Sequence, residues 1–148
     1  MFSLFKPFSP LAASALLLFS PPTQGATWFQ LQEPGSSSGV TVEVDLDSLR
    51  SRGERRELVT RITYAQPRRK QDISFQSVVA GLEIFCDNGL MVWKTASFFL
   101  DGKAEGNPLS AENFGMAGLP SGLLDLLPDR ISATLLRSAC GRPATTSP

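Results

Sequence analysis

The chain has 148 residues, is 42% hydrophobic, and balances 14 basic against 14 acidic side chains with no histidine. That length is enough for one domain with its own core, and near-zero net charge removes any global pull toward nucleic acid or anionic lipid. Without histidine a Ser-His-Asp triad cannot be built, and two cysteines, Cys86 and Cys140, are too few for a structural zinc site.

Residues 1–25 read as a secretory signal peptide. Lys6 supplies the early positive charge, Leu11 to Phe19 is an apolar run, and Pro21, Pro22, Gly25 and Ala26 follow. A helix that crosses the hydrocarbon core needs about 20 apolar residues, so this run predicts export rather than a membrane span. Cleavage after Gly25 puts Thr23 and Gly25 at the small positions, whereas cleavage after Ala26 puts the bulky Gln24 at one of them. The expected product is periplasmic, cell-surface or secreted, with a domain over 26–141 and a disordered tail over 142–148.

Trp28 to Gln32 is a short strand candidate, and Glu33 to Gly39 (EPGSSSG) is a loop. From Val40 the pattern has period two, with Val40, Val42, Val44 and Leu46 on one side and Thr41, Glu43, Asp45 and Asp47 on the other. Ser51 to Arg56 forms a polar turn around Gly53. Glu57 to Ala65 resumes a strand, which Pro67 ends because it has no N–H to donate.

Phe75 to Cys86 and Leu90 to Leu100 are two further strands joined at Asp87-Asn88-Gly89. If only Asn88 and Gly89 form the loop, as in a type I′ hairpin, Cys86 faces Met91, Ile84 faces Trp93 and Glu83 faces Lys94. Asp101 to Pro120 is rich in Gly, Asn and Pro and reads as an extended connection. Pro128 to Cys140 is helical: Pro128 and Asp129 suit its start, Ile131, Leu135 and Ala139 share one face, and Gly141 caps its end.

The predicted fold is therefore α+β: a single antiparallel β-sheet of five to six strands with a C-terminal helix packed on one face. Cys86 at a strand end and Cys140 at the helix end would tether the helix by a disulfide. The alternative is two buried thiols, which an exported compartment disfavours.

Placed in this order, the elements resemble the bacterial surface-adhesin protein E family. The likeness lies in Trp28-Phe29, Val42 to Leu49 (VEVDLDSL), Ile62 to Pro67 (ITYAQP), Ser77, Leu82 to Cys86 (LEIFC) and Cys140. The resemblance implies an antiparallel sheet of about six strands, a disulfide-tethered C-terminal helix, and dimers. It also implies kinship with a surface protein that binds host matrix and serum proteins, although fold alone does not carry function.

Candidate chemistry is sparse. No phosphate-cradling glycine motif is present, no metal site is indicated, and no cofactor is expected. Glu43, Asp45 and Asp47 share a strand face that alternation alone makes polar, and the segment lacks the glycine of a calcium loop. The basic residues are more suggestive. Arg50, Arg52, Arg55 and Arg56 crowd one turn, and Arg68, Arg69 and Lys70 crowd the far end of the next strand. About 30 Å of extended strand separates them, giving two possible seats for sulfated glycan, anionic lipid or acidic protein. Arginines that merely solubilise loop tips are the competing explanation. The aromatics Trp28, Trp93, Phe98 and Phe99 belong either to a binding face or to the core.

These features predict an exported, non-catalytic binding protein with a protein or glycan partner, no nucleic acid and no membrane span, and a possible homodimer through its sheet edges. One alternative is a carboxylate-based enzyme acting on a cell-wall or extracellular polymer through Glu43, Asp45 or Glu83. Another is a periplasmic inhibitor or assembly accessory.

Overall fold

The computed structural model describes residues 25–31 and 39–141. The expected signal peptide (apart from Gly25), the tail and most of the 33–39 loop lie outside these residues. Seven strands and one α-helix are described: β1 (Trp28–Leu31), β2 (Val40–Arg52), β3 (Arg55–Lys70), β4 (Ile73–Phe85), β5 (Leu90–Phe99), β6 (Ser110–Asn113), β7 (Leu119–Pro120) and α1 (Asp129–Cys140). A short 3-10 turn, Ser121–Leu123, precedes the helix. The sheet is an antiparallel meander in the order β1-β2-β3-β4-β5-β6, and β7 pairs beside β6 on β5.

Period-two alternation becomes rows of facing side chains. Val42, Ile62, Val78 and Phe98 form one row across four strands, and Val44, Thr60, Ala80 and Ala96 form the next. Leu58, Leu82 and Trp93 continue the same buried face. Leu126, Leu127, Ile131 and Leu135 join this core. Ile131 and Leu135 are one helical turn apart on α1, so a single stripe of the helix is buried. Each fully buried large side chain contributes about 1.5–3 kcal/mol relative to exposure.

Directed polar contacts fix the cover. The Tyr64 hydroxyl donates to the Leu126 carbonyl at 2.7 Å, the Trp93 indole N–H to the Ser121 carbonyl at 3.0 Å, and Arg56 Nε to the Ala139 carbonyl at 3.2 Å. The Cys86–Cys140 disulfide closes a separation of 54 residues between the end of β4 and the end of α1. Gly141 takes φ 60°, and its N–H donates to the Arg137 carbonyl, ending the helix.

Three local expectations are corrected. Pairing of β3 with β4 resumes beyond Pro67, where Arg68 faces Phe75 and Lys70 faces Ile73. Pro67 falls in the irregular stretch between Thr63 and Arg68, where the ladder asks no N–H of it. The β4–β5 hairpin is two residues out of the expected register: Glu83 faces Val92, Ile84 faces Met91 and Phe85 faces Leu90. Positive φ falls on Gly89 rather than on two central residues, and its N–H donates to the Phe85 carbonyl at 2.8 Å. Asn88 instead accepts from the Leu90 N–H through its side chain. A two-residue slip keeps the side chains at the hairpin end on their own faces. The shift at Gly81/Leu82 reduces it to one residue beyond, so Ala96 and Phe98 rather than Thr95 and Phe99 continue the core face from Trp93. Finally, the Asp101 to Pro120 connection contains β6 and β7.

Candidate functional site

The face opposite α1 carries the charge. Arg61 donates from Nε to Glu43 Oε2 at 2.7 Å, and its guanidinium lies 4.5 Å from the centre of the Trp28 ring. Trp28, Asp45, Val59, Gly81 and Thr95 form the neighbouring row. Glu57 and Glu83 face one another in the row beyond.

Around Gly81 the face sinks into an open depression of about 480 Å³. Two irregularities make its walls. β2 breaks register with β3 between Asp45 and Arg50, placing Ser48 on one side, and the β4–β5 register shift at Gly81/Leu82 places Lys94 on the other. Ser48 is fixed there, its hydroxyl donating to the Asp45 carbonyl and accepting from the Val59 N–H. Bulges commonly re-aim side chains in this way. Gly81 leaves the floor without a side chain, and a Cβ there would lie 2.8 Å from Thr95 Oγ1.

Glu83 is the most buried charge in the depression, at 6% exposure. Arg55 and Lys94 each reach it at 3.6 Å, longer than a hydrogen bond. Lys94 Nζ also donates to the Met116 carbonyl. Two carboxylates and two cations thus share one hollow, with Met116 hanging over it at 95% exposure. Sequence reading placed Lys94 beside Glu83, and the two do meet although the register differs, but it missed Glu57, Ser48 and Gly81 as neighbours. Gly81 inside an otherwise apolar strand was the available signal.

The two arginine clusters occupy opposite ends of β3 and differ in kind. At the β2–β3 turn, Arg52 directly faces Arg55, and Arg50 faces Glu57. Arg50, Arg52 and Arg55 are exposed, whereas Arg56 turns to the helix side and donates to carbonyls of Gly53 and Ala139. At the other end, Arg68 pairs with Asp125 at 3.4 Å and Lys70 pairs with Glu112, while Arg69 is exposed. The Arg68 guanidinium also lies 5.0 Å from the centre of the Tyr64 ring. Burial pushes the Tyr64 phenol up to about 12, with Arg68 opposing the shift.

Glu43 is bound to Arg61, and Asp45 accepts from the backbone N–H groups of Thr27 and Asp47. Of the aromatics, Trp93 and Phe98 are core, Phe99 is buried on the opposite face in the row of Thr63 and Ser77, and Trp28 stacks under Arg61. Among the described residues no His, Cys, Asp or Glu group is arranged to hold a metal ion, and no helix is long and apolar enough to cross a membrane.

No curated protein and no solved structure matches the chain. The surface-adhesin protein E family matches residues 28–141, which takes in every described strand, the helix and both cysteines. The chain belongs to the surface-adhesin protein E family.

Proposed function

We propose that the protein is exported through a cleaved signal peptide and acts as a non-catalytic, adhesin-like binding protein. Its docking surface is the β2–β3 end of the sheet, and its partner presents acidic groups, as a sulfated glycan or an acidic protein does. The observation that carries this reading is the pairing of Arg52 with Arg55. Like charges directly opposite one another destabilise a sheet. The pair shares only the 3.6 Å approach of Arg55 to Glu83, and among the described residues no ion pair reaches Arg52, whereas Arg68 and Lys70 each pair with an acid. Family membership supports a binding role over catalysis.

The test is retention on immobilised heparin and on immobilised polyglutamate. Wild type should be retained on at least one, Arg52→Glu/Arg55→Glu should elute early, and Arg69→Glu should behave as wild type. Failure of wild type to bind either column, or equal loss from both variants, refutes the assignment. The sheet also offers an open edge for a second copy, and we read the protein as a homodimer.

A second reading is kept by Glu57 facing Glu83 inside the depression. Two carboxyl groups flanking a cleft are what a glycosidase uses. Release of reducing sugar from a cell-wall polymer, abolished by Glu83→Gln, would favour that enzyme over the binding protein. A periplasmic accessory is distinguished by co-purifying a bacterial partner.

A further inference from the structure

We propose that processing cuts the Gly25–Ala26 peptide bond and that Asp45 and Asp47 seat the α-ammonium group so created. The proposal rests on the export reading. In the cut, water adds across the bond; Gly25 leaves as a carboxylate and Ala26 keeps the amine, which takes up a proton.

The sheet ladder ends where this seat begins. β1 runs antiparallel to β2, and its pairing extends to a bond from the Leu46 N–H to the Thr27 carbonyl at 3.0 Å. One atom group earlier the ladder is abandoned. The Thr27 N–H donates to Asp45 Oδ1 at 3.2 Å, and the Thr27 hydroxyl donates to Asp47 Oδ2 at 2.7 Å. Both carboxylates of an i, i+2 pair are thus turned toward the residue that follows Ala26. Consecutive backbone nitrogens are at most about 3.7 Å apart, which places the Ala26 nitrogen within roughly 7 Å of Asp45 Oδ1.

The surrounding charges leave room for a cation there. Among the described residues, no ion pair reaches Asp45 or Asp47. The nearby cations are committed elsewhere. Arg61 on β3 holds Glu43 and covers Trp28, and Arg50 donates to the carbonyls of Asp47 and Leu49. Among the described residues, a neutral amide at Ala26 leaves Asp45 and Asp47 with no ion-pair partner. A free ammonium neutralises one of them. Gly25, Ala26 and Thr27 are all exposed, and among the described residues nothing lies within 4 Å of where a Cβ on Gly25 would stand.

The seat is tested on protein beginning at Ala26, with its amine free or acetylated, in wild type and in Asp45→Asn/Asp47→Asn. Asparagine keeps an acceptor for Thr27 but removes the charge. Acetylation should lower the Tm of wild type by about 2–4 °C and leave that of the double variant unchanged, a cycle that isolates the pairing. The free α-amine should titrate above its usual 7.7–8.0 or so, so its stabilisation is present below that range and lost as pH rises through the raised value. An equal effect of acetylation in both proteins overturns the seat. Separately, the intact mass of protein exported by a bacterial host should correspond to an Ala26 start. Retention of Met1 overturns the cut together with the export reading, and any other start overturns the cut alone.

Discussion

The Tyr64 hydroxyl donates to the Leu126 carbonyl at 2.7 Å, and both residues are buried. The bond joins the centre of β3 to the segment that leads into α1. Burial raises the Tyr64 phenol to about 12 from its ordinary 10, so the folded state favours the neutral form. That contribution is fully present below pH 10 and is lost as pH rises through about 12, up to roughly 2–3 kcal/mol for a shift of that size. Tyr64→Phe should cost about 1–2 kcal/mol at neutral pH, because the Leu126 carbonyl loses its donor. The variant should also show a flatter fall in stability across the alkaline range. Urea titrations at pH 7 and pH 11 read both effects, and an unchanged alkaline slope would count against the assignment.

The disulfide carries a second expectation. Closing 54 residues with Cys86–Cys140 stabilises the fold by about 4 kcal/mol in the chain-entropy account. Cys86→Ser/Cys140→Ser should therefore lower the urea midpoint by at least about 1 M for a domain of this size. Non-reducing peptide maps of native protein should show the linked pair. Recovery of two alkylatable thiols from native material would contradict the structure.

Gly118 and Gly53 both hold positive φ, 70° and 58°, yet they predict different costs. A Cβ on Gly118 would lie 2.7 Å from Val92 Cγ2 and 2.9 Å from the Trp93 carbonyl oxygen, while Gly53 has nothing within 4 Å. Gly118→Ala should cost about 1–3 kcal/mol through crowding added to backbone strain. It should also loosen β7 from β5 and expose the Trp93 indole, shifting its fluorescence to the red. Gly53→Ala should cost less and leave the fluorescence unchanged. Equal costs would mean that the approach of residue 118 to β5 relaxes freely.

The strands with one wet face were readable because alternation follows directly from burial on one side, as Val40 to Asp45 shows. The helix was readable from Pro128, the Ile131–Leu135 spacing and Gly141. What escaped was set by partners distant in sequence. β6 is four residues and β7 two, too short for a period to register, and both exist because β5 offers an edge. The β4–β5 register depended on whether Asn88 took positive φ or bonded the Leu90 N–H through its side chain. The same residues permit either. The depression needed two bulges, at Ser48 and Lys94, which local propensity does not reveal. Composition counted the arginines correctly but could not say that Arg68 and Lys70 have acidic partners while Arg52 faces Arg55.

The edge of β2 carries the last expectation. β1 pairs with Val42 to Asp45 only, and β2 continues to Arg52. Beyond the Leu46–Thr27 bond, no described strand lies along its outer side. An unpaired stretch of this kind is a template for another strand, and a two-fold pairing of identical edges closes without leaving a free one. Leu46 and Leu49 are 49% and 42% exposed on this segment, and Phe29 on β1 is 54% exposed. A second copy would cover apolar surface there as well as backbone groups. Light scattering at micromolar concentration should give the mass of two chains. Leu46→Lys/Leu49→Lys should give the mass of one without lowering Tm by more than about 2 °C, since both side chains are already half in water. A wild-type mass of one chain would leave the edge unpaired in solution, guarded by Arg50 and Arg52, and would remove the dimer.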